Sequence, residues 1–264
     1  MKIDRVKAAK AFKDYVQNYN IEDGKIKLKI IHTHKVSAIC EEIAKRIGLS
    51  SEDVDIAYLT GLLHDIGRFE QIKVYGTFYD AVSVNHAALG VKILFEEGKI
   101  RDFTDDNSED ELIRKAIKYH NAFEIPETLS KREAVFAKIL RDADKIDIFR
   151  VNVTEPVEDV YESKEREILN STVTEAVLES FRRNETILRK IEKTAVDNVV
   201  AHIAYLFGIY FDESIKIAEE QGYFEKLIQF KSENELTNKQ MEEVREIAHS
   251  YINKRIKNCK GDKM

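Results

Sequence analysis

Proline and glycine are scarce in this chain, 2 and 10 among 264 residues, against an average usage of roughly 5% and 7%. A β-sandwich or barrel needs a turn signal every ~8–12 residues, so that architecture is excluded. Cysteine is scarce too. Cys40 and Cys259 stand far apart, and no apolar stretch of the signal-peptide kind opens the sequence. Neither a disulfide framework nor secretion is indicated, and a reducing cytoplasm is the expected setting. The longest uncharged run, Asn198 to Phe211, contains His202 and falls short of the ~20 apolar residues of a membrane span. It reads as a buried helix, and no membrane partner is expected. Basic residues, 42 Lys plus Arg against 48 Asp plus Glu for a net charge of −6, are scattered rather than gathered in a stripe. That excludes the counterion-release footprint of a protein that binds a nucleic-acid polymer. A small anionic substrate stays open, provided a local cation holds it. Nothing in the pattern selects an oligomeric state.

What is present is helical. Hydrophobic residues make up 43% of the chain, enough for a sizeable core in one large domain or two small ones. Wherever they are dense they recur at spacings of three and four, which predicts an all-α fold. Ser50 with Asp53, Ser108 with Glu111 and Ser130 with Glu133 form three capping boxes that open helices. Gly48, Gly67, Gly98 and Pro126 mark stops. The expected helices are 5–19, 26–47, 51–66, 84–97, 109–121, 131–150, 158–169, 173–206, 212–220, 223–231 and 238–257. Between the third and fourth, Arg68 to Ser83 reads as a long loop rich in Tyr, Phe and Gly. Phe69, Tyr75, Phe78 and Tyr79 there could stack a nucleobase or form a lid's own small core. A soft boundary near 155 separates residues 1–155 from a helical extension, 156–264.

Six metal-competent side chains stand out, four of them on faces that periodicity assigns to the core. His64 and Asp65 arrive together at the end of the apolar helix Tyr58-Leu59-Thr60-Gly61-Leu62-Leu63. His32 shares a stripe with Val36, Ile39, Ile43 and Ile47, whereas His34 aligns with Ala38, Glu41 and Lys45 on the polar side. His86 opens a stripe with Gly90, Ile93 and Leu94, and His120 follows Ile113, Ala116 and Ile117. Asp144 falls among Ala137, Leu140 and Ile148, while Asp142 is expected to face solvent. An ionised carboxylate buried alone is costly and must be offset by a cation or an ion pair. A salt bridge to Arg68, Lys35 or Lys145 would serve Asp144, but six such groups converging from five helices favour a metal site. Imidazole and carboxylate donors without thiolate suit Mn, Fe, Ni, Zn or Mg. Arg68, directly after the His-Asp turn, and Lys35, one turn from His32, are candidates to hold a phosphate or to neutralise a ligand carboxylate. Asp147, on the same face as Asp144, is expected to orient a ligand histidine, the alternative being that it caps a neighbouring helix. His202 and His249 read as structural or surface residues, Cys40 as core, and Cys259 as part of a frayed tail.

The order His32-Thr33-His34-Lys35-Val36, His64-Asp65-Ile66-Gly67 and Asp142-Ala143-Asp144-Lys145 resembles the HD superfamily of metal-dependent phosphohydrolases, whose signature is H…HD…D on a helical bundle. The resemblance covers roughly residues 25–150. It implies that His32, His64, Asp65 and Asp144 are the ligands of a first divalent metal. His86 and His120 match the two additional histidines of binuclear branches, in which Asp65 would bridge two metals. Those branches include diadenosine tetraphosphate hydrolases and cyclic-dinucleotide phosphodiesterases. The GYP motif of the latter is absent, which argues against cyclic di-GMP. The resemblance thus implies hydrolysis of a phosphoester or phosphoanhydride in a nucleotide or other small phosphorylated metabolite with one or two divalent ions, and the candidate catalytic groups are Asp65, Arg68 and Lys35. The alternative is a regulatory module that keeps the metal- or nucleotide-binding site without turnover.

Overall fold

The structure, a computed structural model, describes residues 3–161, 163–188 and 194–261, with side chains through residue 257. The side chain of Cys259 and part of the expected 173–206 helix therefore lie outside the described residues. Among those described, every regular element is a helix and there is no strand. No helix among them is long and apolar enough to cross a membrane.

The chain divides into two compact units, Met1–Asp144 and Lys145–Met264. The first contains α1 (Arg5–Val16), α2 (Gly24–Arg46), α3 (Ser51–Leu63), α4 (Ile66–Tyr75), α5 (His86–Val91), α6 (Ile100–Phe103) and α7 (Asp110–Tyr119). A π turn, Lys92–Glu96, prolongs α5. The division falls inside α8 (Lys131–Thr154), and the second unit adds α9 (Val157–Tyr161), α10 (Glu165–Asn170), α11 (Glu175–Arg182), α12 (Asp197–Ile203), α13 (Asp212–Gln221), α14 (Tyr223–Ile228) and α15 (Glu235–Gly261). The uncharged run beginning at Asn198 is helical, as α12 followed by a 3₁₀ turn, Ala204–Gly208, with Val199, Val200, Ile203 and Leu206 buried.

Of the three capping boxes, the one at Ser130 forms in full and the one at Ser50 forms as the hydroxyl cap. The Ser50 hydroxyl accepts from Asp53 N at 3.2 Å. Ser130 and Glu133 cap reciprocally, Ser130 N donating to Glu133 at 2.8 Å and Glu133 N to the Ser130 hydroxyl at 3.3 Å. The box at Ser108 does not form. Arg114 takes both oxygens of Glu111 at 2.8 Å, and Ser108 N donates to Asp106 instead.

Further expectations are corrected. Most of the stretch from Arg68 to Ser83 is not loop, because α4 runs to Tyr75 and leaves a short segment with one 3₁₀ turn, Asp80–Val82. Gly67 is not a stop. It lies inside α4 against α5, where an added Cβ would stand 2.3 Å from His86 O and 2.6 Å from Gly90 N. Phe69, expected in the loop, is fully buried in an aromatic cluster with Phe12, Tyr15 and Tyr19. The 173–206 helix is interrupted, since α11 ends before Asn184, which adopts a left-handed backbone with φ 57°. Asparagine tolerates that conformation and can stop a helix where no glycine is present. Asp142 is 0% exposed rather than facing solvent, whereas the Asp144 side chain keeps 28% exposure. Around Asp142 the helix is buried on more than one face, from Phe136 through Val151, so the rule of one wet face fails there.

Candidate metal centre

The cluster begins with the packing of α2 on α3. Ile26, Lys29, Thr33, Val36, Cys40 and Ile43 recur at three and four along α2 and are all buried. A Cβ at Gly61 of α3 would stand 2.7 Å from Ser37 Cα, so glycine permits the close approach that sets His64, one turn later, beside His32. The ring centroids of these two histidines are 5.3 Å apart. At Asp65 the backbone leaves helical geometry, with φ −103° and ψ 16°, before α4 restarts. The break turns two consecutive side chains into one cluster, which a continuous helix would direct about 100° apart.

Asp65, 2% exposed, stands between two histidine pairs. Its Oδ2 lies 3.7 Å from His32 Nε2 and 3.4 Å from His64 Nε2. Its Oδ1 lies 3.7 Å from His86 Nε2 and 3.9 Å from His120 Nε2. Asp144 Oδ1 closes the first half, 3.1 Å from His32 Nε2 and 4.0 Å from His64 Nε2. Donor atoms of His32, His64 and Asp65, and again of Asp65, His86 and His120, fall within 4.8 Å of one another.

The hydrogen bonds fix which nitrogens face inward. His64 Nδ1 donates to Gly61 O and His120 Nδ1 to Ile117 O, each at 2.7 Å, while His86 Nδ1 donates to Asp80 Oδ2 at 2.7 Å. Carbonyl and carboxylate oxygens only accept, so in the neutral rings all three Nε2 atoms carry lone pairs. His64 Nε2 is buried with no hydrogen-bond partner. His86 Nε2 and His120 Nε2 face each other at 2.9 Å, an approach of two lone pairs that needs a proton or a cation. Burial argues against the proton. It pushes His120 down to about 3, with His86 and His64 adding to the effect, and lowers His86 as well, together with the Arg68 charge. Both halves therefore fit a divalent cation, with nitrogen and carboxylate donors suited to borderline and hard metals.

The carboxylates are held ionised. Burial acts to raise Asp65, but the Lys29 ammonium, then His64 and His86, outweigh it and hold the carboxyl well below the usual range. Burial likewise opposes ionisation of Asp144, and His32, by hydrogen bond and charge, is the largest of the effects that overcome it.

Three residues absent from the sequence reading support the cluster. Lys29 Nζ donates to Asp65 Oδ2 at 2.7 Å. Its signal was a charge in the middle of the buried stripe of α2. Asp80 accepts from His86 Nδ1 and also from Arg68 Nη1 at 2.8 Å, Gln71 Nε2 at 2.9 Å and Asn121 Nδ2 at 3.2 Å. It is the one acidic residue between Glu70 and Glu96. A carboxylate on the far nitrogen of a histidine fixes its tautomer and orientation. Arg141 of α8 donates to the carbonyls of Tyr119, His120, Ala122 and Phe123, stapling the end of α7 that carries His120.

The remaining expected residues separate. Arg68 joins the cluster, with Nε 3.8 Å from Asp65 Oδ1 and Nη1 bonded to Gln71, Phe78 O and Asp80. Lys35 does not join it. It is exposed on α2, away from the stripe whose centre Lys29 occupies. Asp147, 1% exposed, receives two hydrogen bonds from Arg150 at 2.7 and 2.8 Å within the second unit. His202 Nδ1 lies 2.9 Å from Asn152 Oδ1, and His249 pairs with Glu225 at 2.9 Å.

Comparison with known proteins agrees with this chemistry. The HD domain matches residues 30–208. The 3'3'-cGAMP-specific phosphodiesterase 1 of Vibrio cholerae serotype O1 is 43% identical over 49 residues, covering 19% of this chain and 11% of that protein. No solved structure gives a significant match. The match over more than half of its length places this chain in the HD-domain family, whose members are mostly metal-dependent hydrolases.

Proposed function

We propose that the chain is a metal-dependent phosphohydrolase that cleaves a phosphoester or phosphoanhydride in a nucleotide or other small phosphorylated metabolite, acting in the cytoplasm. One observation carries this reading: a single buried carboxylate, Asp65, stands between two histidine pairs whose Nε2 atoms all lie within 3.9 Å of its oxygens. His32, His64, Asp65 and Asp144 would hold one divalent ion, and Asp65, His86 and His120 a second, drawn from Mn, Fe, Ni, Zn or Mg. A divalent ion held by these residues would supply Lewis acidity for hydrolysis at phosphorus.

The chain's own groups do the rest. The partly exposed Asp144 marks where the otherwise buried cluster meets solvent, and so where a substrate phosphate enters. Asp80 keeps the His86 proton on Nδ1 and its lone pair inward. Arg68 ties Asp80, Gln71 and Phe78 into one frame beside Asp65. The partial likeness to a cyclic-dinucleotide phosphodiesterase recommends phosphodiesters among the first substrates tested. Protein reconstituted with Mn or Fe should hydrolyse at least one of bis(p-nitrophenyl) phosphate, a dinucleoside polyphosphate and p-nitrophenyl phosphate. Asp65→Ala and His64→Ala should abolish both metal binding and turnover. Full turnover and unchanged metal content in both variants would refute the proposal.

A further inference from the structure

Lys29 is an expensive residue to place where it is. The chain puts an ammonium at the middle of an apolar stripe, 8% exposed, and spends one of its three donors on Asp65 Oδ2 at 2.7 Å. Among the described residues Asp65 is the one hydrogen-bond acceptor that reaches it. Two donors of a nearly buried cation thus stand unspent beside the cluster. On the other oxygen of Asp65, Arg68 repeats the pattern: its Nε is buried, unbonded and 3.8 Å from Oδ1. The Phe78 ring covers both cations, its centroid 5.2 Å from Lys29 Nζ and 5.7 Å from Arg68 Cζ. Buried donors left without acceptors are costly, and two cations with spare donors under one aromatic ring form a receptor for an oxyanion.

We propose that Lys29 is a substrate-binding residue that seats a phosphate oxygen next to Asp65, with Arg68 as the companion donor and Phe78 as their cover. The assignment rests on the phosphohydrolase reading above and specifies it. The lysine that holds phosphate is Lys29, from the buried face of α2, rather than the exposed Lys35. Its geometry favours a tetrahedral, multiply charged oxyanion, since one carboxylate could not meet the spare donors on both flanks of Asp65.

Isothermal titration of inorganic phosphate into the metal-loaded full chain, with metal content measured on each sample, tests this. Lys29→Met should weaken phosphate binding roughly tenfold or more, the scale on which loss of one partner of a buried charge pair is felt. Metal equivalents should match those of the unsubstituted protein, Lys29→Arg should recover part of the affinity, and Lys35→Met should bind phosphate normally. With any hydrolysed substrate, Lys29→Met should raise KM more than it lowers kcat. Wild-type phosphate affinity in Lys29→Met, with metal bound and turnover intact, would overturn this assignment alone. Loss of metal in Lys29→Met would also overturn it, showing that the lysine serves Asp65 instead. An unsubstituted chain that binds neither metal nor phosphate would overturn this assignment and the phosphohydrolase reading together.

Discussion

The two halves of the histidine cluster are made from different material. His32 sits within α2, of 23 residues, and His64 lies just past the end of α3, of 13, and these helices meet at a close approach that Gly61 permits. His86 is the first residue of α5, of 6 residues, and His120 lies just past the end of α7. The second pair is held from outside its own helices, by Asp80 on His86 Nδ1 and by Arg141 on the carbonyls around His120. His32 is fixed by the backbone of a long helix and His64 by the close packing of α3 on α2, whereas His86 and His120, at the termini of short helices, rely on outside partners. The first half should therefore tolerate loss of surrounding polar contacts, and the second should depend on them.

Asp65→Ala should break both halves together. It removes the shared carboxylate and leaves the nearly buried Lys29 ammonium without its carboxylate partner, a cost of about 3–5 kcal/mol where a buried ion pair loses one partner. Metal binding by both halves and all turnover should disappear, with a loss exceeding the ~10–100-fold typical of partners outside the coordination sphere. Urea melts and elemental analysis would check this, and retention of one full metal equivalent would count against a shared role for Asp65.

Asp80→Asn should separate the halves. His86 loses its charged anchor, and the affinity of the second site should fall by about 10–100-fold while the first is unchanged. Titration with Mn would show one site weakened and one preserved. Equal weakening of both would erase the distinction between them.

Gly67→Ala probes the same asymmetry through the backbone. The new methyl would meet His86 O at 2.3 Å and Gly90 N at 2.6 Å, and backbone cannot step aside as a side chain can. A destabilisation of about 1–3 kcal/mol is expected from such overpacking, with His86 displaced. A chemical denaturation midpoint unchanged from that of the parent chain would contradict the close packing of α4 on α5.

The sequence reading succeeded where one local pattern carried the answer. The helical period, the caps at Ser50 and Ser130 and the inward faces of His32, His86 and His120 were all legible in spacing. It failed where the answer depended on a partner far along the chain. Lys29 is a lone charge in an apolar stripe, and its role shows only in the fold, where Asp65 stands 2.7 Å away. Asp80 had no visible role until its segment folded back on His86. Asp142 was misread because helical periodicity assumes a single buried face, and α8 is buried on more than one there. The interruption after α11 falls at Asn184, a weaker stop signal than the glycine or proline the chain so rarely uses.

The central claim is that Asp65 joins two metal sites, and metal stoichiometry tests it most directly. Elemental mass spectrometry on full-length protein reconstituted with Mn or Fe, free of chelator, should find two equivalents in the parent and one in the His86→Ala/His120→Ala double variant. One equivalent unchanged in the variant, or none in either protein, would contradict it.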